Sequence, residues 1–481
     1  MLVSAKPRRH DTFGLCQLFA SKAPRFKVNL ARMATCFVGV KTLIIGVCVT
    51  ASVAMPALAH AGGFSIIEFG TRRTAMTAVI GRPDEPSALV HNPAGMSLLP
   101  GTHVYVAGGL AMINTEFNVL PWDQSQKYID DISPGADGYY PVVKPTRAMA
   151  VLPMLAATFE VKPEKLWLGI GAFVGNATGA KFDRAAVTRY HLINGYIVAP
   201  QVSAAVAYKP RRDLTVAATL GVINFRIKGE RLFYPILPDG TDVSKTIGSR
   251  AKLQLEGSGW APVWSLSTLY QPTSKISLGA ALFGRVDATL EGDVNVTYSD
   301  DAFVPGDTLE GLQRTSQIIP WTLNLGGNVD VHRNVEVGVD FRYWLYRQYK
   351  EQRTEIKGIA LLRELVTVKN YNDSYQISGG VRVHDLPQVP HLELMAGTHW
   401  DQTPAPKQTV TLDQPTFSHY GIHSGVRYTL GRYRLGASYL RYFYNIPTIN
   451  DSITAPPSNI KGDGVNNTFS LQFEGTFGGR R

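Results

Sequence analysis

The sequence predicts an all-β fold, namely a fourteen-stranded antiparallel transmembrane β-barrel plugged by a small N-terminal helical hatch. Three observations lead to this prediction. After residue 61 the chain is a series of stretches in which apolar and polar residues alternate, the loops between these stretches alternate in length, and the segment before the first strand does not alternate. The chain of 481 residues is 44% hydrophobic and 18% charged, so it can bury a large core.

The first 61 residues have the pattern of a secretory signal peptide. An apolar run follows Lys41 and ends in the small-residue sequence ALAHA at 57 to 61. Because a basic region, an apolar stretch and an A-x-A site define such a signal, we expect cleavage after residue 59 or 61. If Met33 is the true start, residues 1 to 32 are a start-site extension. The alternative is a membrane-anchoring helix, against which the shortness of the run and Pro56 argue.

Charge and cysteine content exclude several function classes. The formal net charge is +10, but residues 1 to 61 hold eight lysines and arginines against one acid, a net +7, which leaves +3 for the rest. That is too little for a polyanion-binding surface, and no nucleic-acid partner is expected. Cys16, Cys36 and Cys48 all lie in the signal segment. The mature chain therefore has no disulfide or thiolate site, and we expect neither a cofactor nor a metal.

Period-2 alternation predicts the strands. In VEVGVDFRYWLY (335 to 346) apolar residues occupy every second position, while Glu336, Asp340 and Arg342 fall between them. In an outer-membrane barrel the apolar face contacts lipid and the polar face lines the lumen, where we expect these charges to be paired or solvated. The predicted strands are 102–117, 147–161, 166–182, 196–209, 214–232, 251–271, 276–299, 317–332, 335–356, 367–384, 391–403, 419–430, 433–445 and 466–477.

Loop lengths favour a transmembrane barrel over a soluble sandwich. Tight connections such as KPEK at 162 and PRRD at 210 alternate with long polar ones such as 118 to 146 and 445 to 465. Short periplasmic turns and long extracellular loops are typical of bacterial barrels, and an even strand number puts both chain ends in the periplasm. Aromatic residues near strand ends, which suit interfacial girdles, are Trp260, Tyr270, Trp344 and Tyr346.

Residues 62 to 101 are predicted to form the hatch. They contain short helical pieces interrupted by glycine and proline, and in SALVHNPAGM (87 to 96) Asn92 and Pro93 have the pairing of an N-cap residue and a first-turn proline. A barrel of this size encloses more space than its own side chains fill, so the segment can fold inward as a plug. The predicted organisation is thus a signal at 1–61, a hatch at 62–101, a barrel at 102–477 and a short tail at 478–481.

The hatch segment resembles that of the FadL family, the long-chain fatty acid and aromatic hydrocarbon transporters of Gram-negative outer membranes. The most specific element is NPAGM, which falls on Asn92, Pro93, Ala94, Gly95 and Met96. Segments 257 to 286, 319 to 344 and 394 to 406 resemble later strand pairs of the family. The similarity covers nearly the whole mature chain.

The resemblance implies passive uptake of hydrophobic molecules, most of all long-chain fatty acids, across the cell outer membrane. The ligand is captured by loops, enters an internal pocket near the hatch N-terminus and leaves sideways where the third strand kinks. The implied partners are the hydrophobic ligand, outer-membrane lipid with lipopolysaccharide, and the barrel assembly machinery. The hatch N-terminus falls on Gly62, Gly63 and Phe64.

The third predicted strand, LWLGIGAFVGNATGAKF, carries the candidates for the kink. Glycine inside a strand marks a bulge or a close backbone approach. The alternative is that the glycines only make room for hatch side chains. These candidates, which share one face by their even spacing, are Gly169, Gly171, Gly175 and Gly179.

Four other functions remain open on the sequence. They are an aromatic hydrocarbon channel of the same family, a general diffusion porin, an adhesive or structural barrel, and an outer-membrane enzyme. For an enzyme, His399, Asp401 and Ser418 lie near one another in sequence, but neither G-x-S-x-G nor H-E-x-x-H occurs, so we expect no catalysis. One departure from the family is the GGRR tail after Phe477, since such barrels usually end at an aromatic residue.

Overall fold

The computed structural model describes residues 65–121, 132–146, 149–233, 250–299, 307–360 and 362–478. The signal segment, the three cysteines, Gly62, Gly63, Phe64 and the end of the tail lie outside these ranges. In the ranges described, no helix is long and apolar enough to cross a membrane.

The described residues contain eighteen strand segments, all in one antiparallel sheet. These are β1 (Thr102–Val119), β2 (Met149–Lys162), β3 (Leu166–Lys181), β4 (Asn194–Arg211), β5 (Leu214–Phe233), β6 (Arg250–Tyr270), β7 (Ile276–Phe283), β8 (Val286–Ser299), β9 (Thr308–Ile319), β10 (Thr322–His332), β11 (Val335–Trp344), β12 (Glu351–Lys357), β13 (Glu364–Val368), β14 (Ser374–Val383), β15 (Leu392–Asp401), β16 (Ser418–Leu430), β17 (Tyr433–Asn445) and β18 (Ile460–Phe477).

Four pairs of segments are the two halves of one barrel strand each, namely β7 with β8, β9 with β10, β11 with β12, and β13 with β14. The prediction of fourteen antiparallel strands is therefore confirmed. β18 pairs with β1 along its whole length, from Thr102 opposite Phe477 to Val119 opposite Ile460, and so closes the barrel. Closure removes the free sheet edges that hydrocarbon would not tolerate.

The outer surface carries an apolar band, as a lipid-facing wall requires. Leu220 and Leu471, for example, are 72% and 69% exposed. Trp260 points outward as a girdle residue should, whereas Trp344 and Tyr346 are almost fully buried. The girdle prediction is wrong for these two. Trp344 shares the lumen-facing set of positions in β11 with Arg342, and Tyr346 is buried in the turn that follows β11.

In the upper part of the wall, β8, β9 and β12 present mostly polar residues on the outside. The inner face is apolar along β8, but along β9 and β12 most buried residues are polar, namely Gln313, Thr315, Gln317, Gln352 and Thr354. In β12 the outward positions are Glu351, Arg353, Glu355 and Lys357, all exposed, and Ile356 is buried inside. Ile356 packs there with Leu253 of β6 and Val294 of β8. The polar outer face also explains why the predicted eighth strand starts at 317 although β9 starts at Thr308. Where the outer face is polar, the sequence lacks the alternation of apolar and polar residues that predicts a strand.

Short helical turns make up most of the remaining regular structure. The hatch contains a π-helical turn (Arg72–Met76), the α-helix α1 (Ala88–His91) and a 3-10 helix (Pro93–Leu98). The loops contain three further 3-10 turns, which are Val187–Tyr190, Tyr346–Gln348 and Lys407–Thr409. Hatch residues from 65 to 98 are almost all buried, and they hydrogen-bond to strands on several sides of the barrel.

Candidate functional site

Asn92 joins the hatch helix to the barrel wall. Its Oδ1 accepts from the N–H of Ala94 at 3.2 Å, which is the N-cap bond of the 3-10 helix that Pro93 begins. Its Nδ2 donates to the carbonyl oxygens of Ile80, at 2.9 Å, and of Thr268 in β6, at 3.0 Å. Every polar atom of the side chain is thus used within the protein, and Asn92 has none left for a ligand.

The other motif residues pack against the chain. A Cβ atom at Gly95 would overlap the ring of Pro83, so the motif requires glycine there. Met96 lies over Gly169 of β3, and Leu89 lies over both Gly169 and Gly171. For Gly169 and Gly171 the geometry agrees with the alternative interpretation, in which the glycines only make room for hatch side chains.

A belt of glycines holds the hatch backbone against the inner wall. In each of seven consecutive barrel strands, one glycine lies so close to hatch residues 71 to 81 that a Cβ atom on the glycine would overlap them. The belt consists of Gly279, Gly326, Gly338, Gly380, Gly397, Gly425 and Gly436. Because any larger side chain would overlap the hatch backbone or its small side chains, the belt fixes the path of this segment. The recurrence of glycine at lumen-facing positions is the sequence signal for this belt, which the alternation of apolar and polar residues alone does not predict.

Buried ion pairs tie the hatch to the wall on the periplasmic side. Asp84 lies 2.9 Å from Arg427, 3.2 Å from Arg72 and 3.2 Å from Arg382. Glu336, which also pairs with Arg72, lies 2.6 Å from Arg382. Burial opposes ionisation of Asp84, but the guanidinium groups of Arg427, Arg72 and Arg382 outweigh it and hold its pKa well below the usual range of an aspartate. Removing one partner of such a cluster costs about 3–5 kcal/mol.

The lumen-facing acids Glu336 and Asp340 are both satisfied, as expected. Asp340 accepts from the backbone N–H groups of Val79, at 2.6 Å, and Ile80, at 3.0 Å. Both acids therefore serve the docking of the hatch.

Arg342 is different from its neighbours. It is 2% exposed, yet no carboxylate among the described residues lies within ion-pair distance of its guanidinium. Its guanidinium contacts a neutral acceptor, the Nδ1 of His91, at 3.3 Å from Nη2, and its Nε has no hydrogen-bond partner among the described residues. The sequence pattern had grouped Arg342 with the paired acids, because alternation shows which face a residue takes and not what it meets there.

Arg342 faces a cavity of about 110 Å³ inside the barrel. Ser65, the first described residue of the hatch, lines this cavity. Its apolar lining includes Phe173, Val263, Trp264, Phe283, Ile319 and Trp344, and its polar lining includes Asn176, Gln201, Thr219, Asn324 and Arg342. An apolar space with few polar groups is typical of small-molecule sites.

Next to this cavity β3 leaves its neighbour β2. The two strands pair from Lys162 opposite Leu166 up to Met154 opposite Phe173, and the recorded ladder ends there. β3 stays paired with β4 as far as Lys181, with a bulge between Val174 and Asn176. From residue 176 to 180 both faces of β3 are buried. The strand therefore bends into the barrel and leaves a gap in the wall between β2 and β3, which we call the β2–β3 gap.

The bulge also divides the four candidate glycines. Gly175 lies at the bulge itself, where its carbonyl oxygen accepts from the hatch. Gly179 has a φ of 159° and lies against Gly195 and Tyr196 of β4. The bulge shifts the register by one residue, so beyond it the even-numbered residues of β3 face inward. Asn176 and Thr178 accordingly line interior cavities. The expectation of one shared face thus holds only up to the bulge.

The residues considered for catalysis do not assemble into a site. His399 Nδ1 lies 2.8 Å from His423 Nε2, and Asp401 accepts from Gln376 at 2.8 Å. Ser418 Oγ accepts from the N–H of Thr403 at 3.0 Å. No hydrogen bond between any two of the three candidates is recorded in the described residues.

Comparisons with known proteins agree with this geometry. The family model described as outer membrane protein transport protein (OMPP1/FadL/TodX) matches residues 51–477. An outer membrane protein of Neisseria meningitidis serogroup B is 20% identical over 419 residues, which is 78% of this chain and 84% of that protein.

Two solved structures share the fold. A FadL homologue of Pseudomonas aeruginosa superposes with a TM-score of 0.72 at 15% identity, covering 86% of this chain and 100% of that one. The toluene transporter TodX of Pseudomonas putida superposes with a TM-score of 0.62 at 15% identity, covering 86% and 99%. The match to the family model spans nearly all of the mature chain, and this protein therefore belongs to the OMPP1/FadL/TodX family of outer membrane transport proteins.

Proposed function

We propose that this protein takes up long-chain fatty acids passively across the outer membrane. Loops capture the ligand, the cavity beside Arg342 holds it, and it leaves sideways through the β2–β3 gap. The observation that carries this proposal is the buried guanidinium of Arg342, which faces an apolar cavity without a carboxylate partner.

A fatty acid has a carboxylate that can pair with Arg342 and an alkyl chain that can contact the apolar lining of the cavity. A buried guanidinium without a carboxylate in contact is costly, and a ligand carboxylate offers it short, charge-assisted hydrogen bonds. The alkyl chain gains about 25 cal/mol for each Å² of apolar surface that leaves water. One group of the ligand thus meets Arg342 while the rest meets aromatic and aliphatic side chains.

The β2–β3 gap suits the exit of such a ligand. An apolar molecule gains little from a water-filled pore, whereas a lateral path returns it to hydrocarbon. In this proposal Gly175 and Gly179 form the kink, and residues 65–101 are the plug that prevents straight passage. Asn92, Pro93, Ala94, Gly95 and Met96 hold that plug together and do not touch the ligand.

Aromatic hydrocarbon uptake is the second candidate. The cavity contains several aromatic side chains, among them Phe173, Phe283 and Trp344, which can surround a flat ring. A relative in the same fold is named a toluene transporter. A hydrocarbon would, however, leave Arg342 without a carboxylate partner, and for this reason we place it second.

Uptake of radiolabelled palmitate and toluene by a deletion strain, complemented with wild type or with Arg342→Gln, separates the candidates. We expect wild type to restore palmitate uptake and Arg342→Gln to lose most of it while the barrel stays folded. Restored toluene uptake with no palmitate uptake would favour the second candidate. Arg211→Gln is the control, because Arg211 is exposed, pairs with Asp213 and lies outside the cavity lining.

A further inference from the structure

We propose that His91 is a positioning residue for Arg342, and that it sets the preference of the cavity for carboxylates over uncharged ligands. The inference rests on the proposed function, since it concerns the same cavity. It assigns to a hatch residue a part of ligand selection.

The hydrogen bonds of His91 fix its tautomer. Nε2 lies 2.8 Å from the carbonyl oxygen of Phe69, which can only accept, so Nε2 carries the proton. Nδ1 is then an acceptor, and it receives the Nη2 of Arg342 at 3.3 Å. His91 is fully buried in α1 and has no freedom to turn away.

Charges around the ring keep it neutral. Burial, followed by the positive charges of Arg342 and Arg73, lowers the pKa of His91 well below its usual value, although the bond to Phe69 acts in the opposite direction. A protonated ring would present two donors and would repel the guanidinium. The neutral ring instead remains an acceptor throughout the physiological pH range.

A neutral acceptor orients Arg342 without neutralising it. An aspartate in the place of His91 would pair with the guanidinium and remove its need for a ligand, whereas an apolar residue would leave the long side chain free to turn. His91 engages one N–H group and leaves the charge and the other donors available to the cavity. Asn324 of β10 donates to the backbone carbonyl of His91 at 3.4 Å and supports the arrangement from the wall.

The test compares palmitate with hexadecanol, which has the same chain and no carboxylate. Binding to the purified full-length protein is followed by the fluorescence of Trp264 and Trp344, which line the cavity. We expect wild type to bind palmitate more tightly. His91→Leu should weaken palmitate binding about tenfold with little change for hexadecanol, as expected for losing the support of a charge-assisted bond. His91→Gln, whose amide can donate and accept, should retain most of the preference.

Controls separate this inference from the proposed function. Ser97→Ala, in the hatch but outside the cavity lining, should bind both ligands as wild type does. If Arg342→Gln abolishes the preference and His91→Leu keeps it, the role of His91 is overturned while the function stands. Equal weakening of both ligands in His91→Leu and His91→Gln would mean a purely structural role and would also overturn it. A wild type without any preference would overturn the carboxylate assignment itself.

Discussion

The backbone N–H of Ile66 donates a hydrogen bond of 2.8 Å to the carbonyl oxygen of Gly175. A bridge between Ser65 and Asn176 extends this pairing by one step. The start of the hatch thus contacts β3 at the bulge, where β3 has left β2. Since exposed backbone groups are costly in hydrocarbon, the hatch stabilises the bent strand as well as covering the gap from inside.

Filling the bulge should close the proposed exit. A Cβ atom at Gly175 would lie 3.1 Å from the ring of Phe173, so Gly175→Val crowds the bend next to the cavity. We expect Gly175→Val to reduce fatty acid uptake several-fold while the barrel still folds, as judged by heat-modifiable migration on gels. Gly108→Val in β1 is the matched control, because its Cβ would meet nothing within 4 Å. Normal uptake by Gly175→Val would argue against a lateral exit at β3.

Deleting the hatch should open the barrel to ions. The segment fills the lumen between strands on several sides, and its removal leaves a water-filled passage. We expect a variant lacking residues 62 to 98 to show a large increase in single-channel conductance in planar bilayers. Unchanged conductance would contradict the plug and would support a general diffusion porin.

The glycine belt predicts a sharp contrast between two neighbours in β14. A Cβ atom at Gly380 would overlap the carbonyl group of Met76, whereas at Gly379 the nearest atom is 3.6 Å away. Gly380→Ala should weaken hatch docking by about 1–3 kcal/mol, the usual cost of overpacking. Limited proteolysis of the hatch measures this, with Gly379→Ala as the control. Equal protection in both variants would mean that the wall adapts to the extra atom.

Acidification should release the hatch only well below neutral pH. The pKa of Asp84 is lower in the folded protein than in the unfolded chain. The carboxylate therefore stabilises hatch docking fully above the unfolded-state pKa, and this stabilisation is lost as pH falls through the folded-state pKa. Conductance should therefore stay low from neutral pH through the mildly acidic range and rise only below the usual titration range of an aspartate. In Asp84→Asn we expect higher conductance already at neutral pH and a weaker dependence on acid. A rise near pH 6 in wild type would point to another group.

Most of the fold could be predicted from local alternation. The polar and apolar faces of β11 and β18, for instance, follow directly from their period of two, and the count of fourteen strands follows from such segments. The pattern failed where lipid no longer contacts the wall, as at the start of β9. It also placed Trp344 in a girdle, because residue type suggested an interface although the position in the alternation pointed to the lumen.

The site was less accessible to sequence reasoning. Asn92 could be recognised as a helix cap because its capping partner, Ala94, lies two residues further along the chain. That Arg342 has no acidic partner depends on which strands meet the hatch, and that His91 faces it depends on the path of the hatch across the barrel. Such contacts span more than two hundred residues, and no single-strand pattern encodes them.

The polarity of β8 determines what this part of the upper wall presents outside the hydrocarbon core. Outside the hydrocarbon core of an outer membrane lies a hydrated layer of sugars and phosphates, through which an apolar molecule diffuses poorly. β8 carries Asp287, Glu291 and Asp293 toward that layer and Val286, Leu290 and Val294 toward the interior. If the protein carries an apolar solute as proposed, the inner face of β8 offers that solute an apolar surface while its outer face stays hydrated.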